Sequence, residues 1–361
     1  MTQLLKTPST SDASNKPIVT IVMMQRDRLS LSSQCLDSLY ETADVPFRLI
    51  YVTGGAPKKF REWLDGQAMR RGFEHVAHDR FLSPNEARNL GVKMSRTPYV
   101  FLAENDVMYK KGWLSELVKC AEETGADVVN PLTCQGFPLH EEIHFFDGSF
   151  YDPETFFKTP MGQRDFQEHI GLQGKKVTEV ADQLVRKQTG FLEFHGVLVR
   201  KSIMEKVGPL DTEVISIKEY LDFCLMVLNA GGKIWSEPKS VVTFIYPHGQ
   251  YPVRLIDWPY FMLRWSKNWE ERSIRRIQEK WGLRSSGFIA HRRTLMDWRL
   301  PEGVLKPALK KIPLLGGRWG FRTRMASFLY PAAQFFASML AKKYERDRLA
   351  ASRKLQKTDL I

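Results

Sequence analysis

The sequence predicts an α/β fold with a mostly parallel sheet that is covered by helices on both faces. Strand-like and helix-like segments alternate over the first 135 residues, which is the order that crossover connections between parallel strands require. The 361 residues are 43% apolar, which is enough for a large core and excludes wholesale disorder. The four scattered cysteines form no Cys-x-x-Cys pair, so we expect a reducing compartment and neither a disulfide scaffold nor a structural zinc site.

Short apolar runs in this region have the character of buried parallel strands, and they cover residues 17–24, 47–55, 97–106 and 126–133. Apolar residues at helical spacing predict helices between them, over residues 31–40, 60–69, 84–95 and 113–125. One helix start is marked by its capping residues. Ser83 can cap the helix, Pro84 lies in its first turn, and Glu86 completes a capping box.

The second half of the chain is less regular. Residues 134–187 carry weak signals, whereas residues 191–202 have strand character and residues 218–232 predict an apolar helix that ends at two glycines. Residues 233–247 predict further strands. After Asp257 the pattern becomes helical, and apolar side chains on one helical face are interpreted as core: Trp258, Phe261, Met262, Trp265 and Trp269.

The positive charge is concentrated at the C-terminus. The net charge is +12, and the residues after 285 carry +11 of it. Such a tail suits a polyanion, either nucleic acid or an anionic membrane surface. The tail lacks a recognised nucleic-acid module, so we expect no nucleic-acid partner.

An uncharged stretch at residues 325–341 lies within this tail. Its 17 residues include Pro331 and are too few for a bilayer span. Two interpretations stay open. The stretch is either an interfacial helix between basic flanks, or a helix docked on the body with a solvated basic end.

Two acids follow the predicted strand at residues 97–106. Glu104 and Asp106 point the same way if the strand continues through them. Ligands of open α/β sheets bind beyond the carboxyl ends of the strands. Together the carboxylates can hold a hard divalent cation, Mg²⁺ or Mn²⁺.

A second pair of acids begins the predicted helix at residues 218–232. Glu219 and Asp222 are three residues apart and so share a helical face. Acids also favour the first turn of any helix because of its dipole, so the spacing alone supports a functional and a structural interpretation equally.

Histidines and one further acid are weaker candidates. Glu193 and His195 lie on one face of a predicted strand, where they either contact a substrate or are ordinary polar residues beside a pocket. His140 and His144 are spaced like metal ligands on a helix, but no third ligand is evident, and we expect no metal site there.

The order of these motifs resembles the family 2 glycosyltransferases of the GT-A fold, over residues 17–250. VTIVMMQRDRLSLSSQCLDSL resembles the family's first strand, nucleotide loop and helix. EARNLGVKMSRTPYVFLAEND resembles its Ala-Arg-Asn-x-Gly helix, followed by a strand that delivers an Asp-x-Asp-type motif. LVRKSIMEKVGPLDTEVISIKEYLDFCLMVLNAGGKIWSEP resembles its acceptor-side segment.

The resemblance implies a role for each candidate. Asp106 and Glu104 would hold Mn²⁺ or Mg²⁺ against the diphosphate of a nucleotide-sugar donor. Glu219, or Asp222 in its place, would be the general base of an inverting transfer. The donor site would be lined by Gln25, Arg26, Thr53, Gly54, Arg88 and Asn105.

The sequence departs from the family pattern at three positions. Thr53 stands where an acid usually holds the nucleobase, and Tyr220 stands where the base most often lies. Phe244 takes the place of a histidine that often completes the metal shell, with His248 four residues further on. These departures motivate the alternative of a nucleotide- or sugar-binding protein of the same fold that has lost catalysis.

These observations predict a division of the chain and an activity. We expect a mobile tail at 1–16, a GT-A domain at 17–255 with a nucleotide-binding half at 17–135 and an acceptor-side half at 136–255, a helical extension at 256–305 and a basic tail at 306–361. The first 16 residues contain no apolar core of signal-peptide length, so we expect a cytoplasmic enzyme, peripheral on the inner membrane face. It would transfer a sugar from a nucleotide donor to a glycan or lipid-linked acceptor.

Overall fold

The computed structural model describes residues 16–150, 153–165, 168–245, 252–284, 298–312 and 319–358. Residues 1–15 of the predicted tail at 1–16 lie outside these residues, and so does His248. Within them, ten strands form one mixed sheet and two more form a small antiparallel pair.

The strands follow the chain as β1 (Val19–Met24), β2 (Phe47–Gly54), β3 (Glu74–His78), β4 (Tyr99–Glu104), β5 (Val107–Tyr109), β6 (Val128–Gln135), β7 (Glu142–Phe145), β8 (Asp147–Ser149), β9 (His169–Gly171), β10 (Lys187–Gln188), β11 (Gly196–Arg200) and β12 (Ile234–Phe244). The helices are α1 (Ser32–Thr42), α2 (Lys58–Arg71), α3 (Pro84–Met94), α4 (Trp113–Thr124), α5 (Pro153–Lys158), α6 (Lys201–Val207), α7 (Glu219–Asn229), α8 (Trp258–Arg264), α9 (Lys267–Trp281), α10 (Lys306–Lys310) and α11 (Trp319–Thr358).

The main path of the large sheet runs β10-β12-β6-β11-β4-β1-β2-β3. Strands β3, β2, β1 and β4 are parallel, and β11 is inserted antiparallel between β4 and β6. Met24, at the end of β1, lies opposite both Val52 of β2 and Glu104 of β4. The loop that follows β1 therefore lies directly beside the carboxyl end of β4.

Strand β1 explains why the central strands are continuous apolar runs. Val19, Ile21 and Met23 pack into the core on one face of the sheet, and Val22 packs into a separate core on the other face. Helix α3 lies against Val22 at Gly91, where a Cβ atom would overlap the valine side chain. A strand buried on both faces is apolar at nearly every position, and the polar exception in β1, Thr20, has its hydroxyl 2.7 Å from that of Thr97.

The predicted start of α3 is confirmed. Ser83 N–H donates to Glu86 Oε2 at 2.7 Å, and Glu86 N–H donates to Ser83 Oγ at 3.3 Å, which completes the capping box. The strand expected to run to residue 106 ends instead at Glu104, and Asp106 lies in a turn. Strand β3 has no counterpart in the sequence prediction because three of its five residues are polar and none of the five is fully buried.

The apolar stripe after Asp257 is divided between two helices. The first of them ends at Arg264, and Ser266 caps α9 by accepting a hydrogen bond from Trp269 N–H. Phe261, Trp265 and Trp269 are buried, as the core interpretation predicts.

Helix α11 spans 40 residues and docks on the body. Ala337, Ala341 and Tyr344 are buried, and the Tyr344 ring packs edge-on against Trp269 with centroids 4.7 Å apart. One face of the tail helix is therefore docked on the body, and its opposite face is exposed. No helix in the described part of the chain is long and apolar enough to cross a membrane.

Candidate active site

The candidate site begins with an asparagine that ties two chain segments together. Asn105 Oδ1 accepts a hydrogen bond from Arg26 N–H at 2.9 Å, and Asn105 Nδ2 donates to Arg28 O at 3.1 Å and Ser32 Oγ at 2.9 Å. The asparagine is fully buried. Its amide therefore holds the loop after β1 against the end of β4 and sets the position of Arg26.

Glu104 is an anchor for cationic groups. Arg26 Nε lies 2.8 Å from its Oε2, His195 Nδ1 lies 3.1 Å from the same oxygen, and Arg88 Nη2 donates to its Oε1 at 3.2 Å. Burial acts to raise the pKa of Glu104, but Arg26, His195 and Arg88 outweigh it and lower the pKa to about 2. Both carboxylate oxygens are engaged.

Asp106 also contacts the guanidinium of Arg26. Its Oδ2 is 3.4 Å from Arg26 Nη1, whereas Oδ1 is buried without a hydrogen-bond partner among the described residues. Burial raises the pKa of Asp106 to about 6, with a contribution from Glu104 and against the attraction of Arg26. The two predicted metal ligands therefore meet around Arg26, and Oδ1 of Asp106 fits a hard cation better than either oxygen of Glu104.

Four buried arginines and four buried carboxylates surround this point, and we call them the ionic cluster: Arg26, Arg28, Arg88, Arg264, Asp27, Glu104, Asp106 and Glu219. Arg88 stacks over Phe194, 4.1 Å from the ring centroid, and lies 3.8 Å from Glu219. Burial lowers the pKa of Arg88 against the attraction of Glu219 and Glu104. Arg88 thus connects the end of β4 to the start of α7.

The two acids of α7 have different surroundings. Glu219 Oε1 accepts a hydrogen bond from Arg264 Nη2 at 3.0 Å and belongs to the ionic cluster. Asp222 faces α9, where Lys280 Nζ donates to its Oδ2 at 2.9 Å and Trp281 Nε1 donates to its Oδ1 at 2.8 Å. The two acids therefore have partners on different helices, Arg264 of α8 and Lys280 and Trp281 of α9.

The residues at the end of β2 are held by their neighbours. Thr53 Oγ1 is 2.9 Å from His75 Nε2 on β3. Gly54 leaves no room for a side chain, since a Cβ atom would lie 2.6 Å from Leu82 N. Gln25 N–H donates to Val52 O, and the Gln25 Oε1 atom is buried without a described hydrogen-bond partner. These contacts place the three predicted donor-site residues along the carboxyl edge of the sheet.

A second cluster lies beside Glu104. His144 Nε2 is 2.8 Å and His195 Nε2 is 3.4 Å from Glu193 Oε2, and the three ligand atoms lie within 4.8 Å of one another. Burial and Arg26 act to lower the pKa of His195, but Glu104 and Glu193 outweigh them and raise it. His144 is grouped here with Glu193 and His195, and not with His140, the neighbour considered in the sequence. Its neighbours come from distant segments.

Three members of the ionic cluster were not among the predicted site residues: Asp27, Arg28 and Arg264. Arg264, from the predicted helical extension, lies 3.1 Å from Asp27 Oδ1 in addition to its contact with Glu219. In the sequence, the feature that could have indicated Arg264 is its place as an arginine within the apolar helical stripe at residues 258–269. Phe244 stacks on His195 at 4.2 Å between ring centroids and lies 4.6 Å from the Arg26 guanidinium. The phenylalanine therefore positions both cationic side chains.

Comparison with known proteins identifies relatives of the chain. The family model described as Glycosyl transferase family 2 matches residues 20–208. The uncharacterized glycosyltransferase EpsJ of Bacillus subtilis (strain 168) is 26% identical over 113 residues, which are 31% of this chain. The match spans about a third (33%) of the length of that relative.

Solved structures give a likeness in fold. The crystal structure of GalNAc-T7 with UDP, GalNAc and Mn²⁺ superposes with a TM-score of 0.50 at 12% identity, over 82% of this chain and 58% of that chain. The mannosyltransferase PcManGT from Pyrobaculum calidifontis, in complex with GDP-Man and Mn²⁺, gives a TM-score of 0.46 at 14% identity, over 93% and 88% of the two chains. The first likeness confirms the predicted GT-A fold.

Proposed function

Because the chain belongs to glycosyl transferase family 2, we propose that it transfers a sugar from a nucleotide-sugar donor to a glycan or lipid-linked acceptor, with inversion. The observation that carries the proposal is the ionic cluster at the carboxyl edge of β1 and β4. There Arg26 bridges Glu104 and Asp106, and Arg88 connects them to Glu219. This is the edge at which ligands of open α/β sheets bind.

The charge balance of the ionic cluster supports a metal-dependent donor. Its four arginines are matched by four carboxylates, so a diphosphate that enters alone adds uncompensated negative charge in a buried site. One divalent cation restores the balance. Asp106, assisted by Glu104, would hold Mn²⁺ or Mg²⁺, which supplies Lewis-acid stabilisation of the departing diphosphate.

The protein's own residues account for the remaining chemistry. Arg26 and Arg88 attract and orient the diphosphate. The Glu219 carboxylate accepts the proton of the acceptor hydroxyl as that oxygen attacks the anomeric carbon. The bond from this carbon to the diphosphate breaks on the opposite side, so the configuration inverts. The contacts of Asp222 with Lys280 and Trp281 favour Glu219 over Asp222 as the base.

The alternative is a binding protein of the same fold without catalysis. The observation that favours it is the pairing of Glu219 with Arg264, which occupies an oxygen that a general base needs. Donor hydrolysis separates the two functions. Slow Mn²⁺-dependent release of nucleoside diphosphate supports the transferase, whereas nucleotide binding without turnover supports the alternative.

The donor is identified by thermal stabilisation. Each nucleoside diphosphate is added with and without Mn²⁺, and the unfolding temperature is measured. A ligand at 100 times its dissociation constant adds about 2.7 kcal/mol to the free energy of unfolding, which is readily detected. Stabilisation by one base that requires Mn²⁺ supports the proposed donor site, and the absence of any stabilisation contradicts it.

The partner proposed for the outer face of α11 is an anionic membrane surface. Phe328, Phe335 and Phe336 are 78%, 63% and 58% exposed, on the side of the helix opposite the docked alanines. Exposed cations flank them: Arg324 before and Lys342, Lys343 and Arg346 after. Each cation near an anionic surface contributes about 1 kcal/mol, and the aromatic rings add the apolar contact that stable anchoring needs.

A further inference from the structure

We propose that His144, Glu193 and His195 bind a divalent transition-metal ion of the zinc type, at a site next to the predicted Mn²⁺ or Mg²⁺ position and distinct from it. This proposal is independent of the transferase activity, since it concerns a different set of ligands. Two imidazole nitrogens and one carboxylate oxygen are a ligand set that zinc sites use in proteins.

The distances between the three ligand atoms are close to those found around a tetrahedral metal ion. Around a zinc ion with bonds of about 2.1 Å, tetrahedral ligands lie about 3.4 Å apart. Glu193 Oε2 is 2.8 Å from His144 Nε2 and 3.4 Å from His195 Nε2. All three atoms lie within 4.8 Å of one another, so small side-chain movements suffice to admit the ion.

The Nδ1 atoms are the outer ring nitrogens of His144 and His195, and their hydrogen bonds determine that the Nε2 atoms face the site. His144 Nδ1 is 2.8 Å from Gln135 Oε1, and His195 Nδ1 is 3.1 Å from Glu104 Oε2. The orientation of the Gln135 amide is defined because its Nε2 donates to Glu142 Oε1 at 2.5 Å. Both oxygens can only accept, so each Nδ1 carries the proton. Ligating histidines in metal sites are oriented in the same way, by an oxygen that accepts from the outer nitrogen.

The inner atoms of the three side chains converge on one point. Both Nε2 atoms face Glu193 Oε2, which is buried and lies 2.8 Å from His144 Nε2 and 3.4 Å from His195 Nε2. Without a metal ion, a proton on an imidazole supplies the counter-charge of the Glu193 carboxylate. A metal ion satisfies all three ligands at once, whereas a proton on one ring satisfies only one pair.

The surroundings confine the site. Phe244 covers one face of His195 at 4.2 Å between ring centroids, and its ring lies 5.6 Å from that of His144. The ligands come from β7 and from the segment before β11. A bound ion would therefore join these segments and, through the hydrogen bond of His195 to Glu104, help to position the end of β4.

The test is calorimetric titration of the full-length chain with Zn²⁺ after removal of metals, without donor or acceptor. We expect one site whose affinity falls at least tenfold in His144→Ala and in Glu193→Gln. His140→Ala is the matched control, since that imidazole lies four residues away against Thr243 and outside the cluster. Mg²⁺, which prefers oxygen ligands, is expected not to bind at this site.

Co²⁺ substitution gives a readout that does not depend on affinity. A four-coordinate Co²⁺ ion at this site has visible absorption bands that Glu193→Gln shifts or removes, while His140→Ala leaves them unchanged. Histidine ¹⁵N spectra are expected to show metal at Nε2 and a proton at Nδ1 in both rings. Zn²⁺ affinity that is equal in the wild type, Glu193→Gln and His140→Ala would overturn the proposal. So would ¹⁵N spectra that show a protonated His195 unchanged by Zn²⁺.

Discussion

Arg26 Nε lies 2.8 Å from Glu104 Oε2, in an ion pair that joins the loop after β1 to the carboxyl end of β4. Both side chains are buried, and the same guanidinium reaches Asp106 at 3.4 Å. The acid-x-acid motif is therefore organised around an arginine, and its two carboxylates have different roles. Glu104 anchors cationic side chains, and Asp106 retains an oxygen without a described hydrogen-bond partner.

This difference predicts opposite effects for two substitutions. Asp106→Asn is expected to abolish transfer and Mn²⁺-dependent nucleotide binding, and to change the free energy of unfolding by less than about 1 kcal/mol. Glu104→Gln removes the charge that compensates Arg26 and Arg88, and is expected to cost about 3–5 kcal/mol. Urea unfolding and nucleotide titration with Mn²⁺ measure both effects. Full activity of Asp106→Asn would show that the metal assignment is wrong.

Glu219→Gln tests the general base. The substitution keeps the shape of the side chain but cannot accept a proton, so turnover is expected to fall about 10²–10⁴-fold with donor affinity nearly unchanged. Asp222→Asn is the matched control. It weakens the contacts with Lys280 and Trp281 and is expected to lower stability more than turnover. Loss of turnover in Asp222→Asn alone would reverse the two roles.

Glu86 makes the docking of α11 sensitive to acid. Burial acts to raise the pKa of Glu86, but Arg80, the Ser83 N–H and the Tyr344 hydroxyl outweigh it and hold the pKa below its ordinary value of 4.5. A lowered pKa in the folded state stabilises the protein above pH 4.5, and the contribution is lost as the pH falls below that value.

The measurement is the free energy of unfolding against pH for the wild type and Glu86→Gln. The wild type is expected to be more stable by about 1–3 kcal/mol near pH 6, and the difference is expected to shrink toward pH 3. Glu62→Gln, at an exposed site on α2, is the control and is expected to show no such difference. A constant gap between wild type and Glu86→Gln across the range would contradict the assignment.

Gly91→Ala tests the close approach of α3 to β1. Alanine favours a helix by about 1 kcal/mol over glycine, but the new Cβ atom overlaps Val22. Overpacking of a core costs about 1–3 kcal/mol, so net destabilisation is expected. The double variant Gly91→Ala with Val22→Ala relieves the overlap, and a double-mutant cycle measures the coupling. Additive effects of the two substitutions would contradict the packing argument.

The outer face of α11 is tested by flotation with anionic vesicles of phosphatidylglycerol and phosphatidylcholine. The wild type is expected to float and to be released mostly by high salt, because cations supply much of the attraction. The combined variant Phe328→Ser, Phe335→Ser and Phe336→Ser is expected to stay unbound. Truncation of the tail is a poorer test, since α11 also covers Trp269 on the body.

The matched control for flotation replaces exposed apolar residues away from α11. Met69, Met161 and Val185 are 86%, 55% and 55% exposed, and their exchange for serine removes similar apolar surface. The control variant is expected to float like the wild type. If the α11 variant also floats unchanged, the outer face of the helix has no role in membrane binding.

The sequence by itself determined the features whose physics is local. The capping box of Ser83 and Glu86 depends on residues three apart, and the strands show as apolar runs because both faces of the sheet are covered. The order of the motifs was sufficient to predict the fold. Glu104 ends β4, Asp106 follows two residues later, and Glu219 begins α7, close to where that order predicted them.

Tertiary structure decided what each polar side chain contacts. Glu219 and Asp222 are alike in the sequence, but one pairs with Arg264 of α8 and the other with Lys280 of α9. In the sequence no further metal ligand is evident for His144, whereas the fold places Glu193 and His195 beside it. Periodicity predicts which face of a helix or strand a residue occupies. It carries no information about which distant segment packs there, and the chemistry of a buried charge depends on that neighbour.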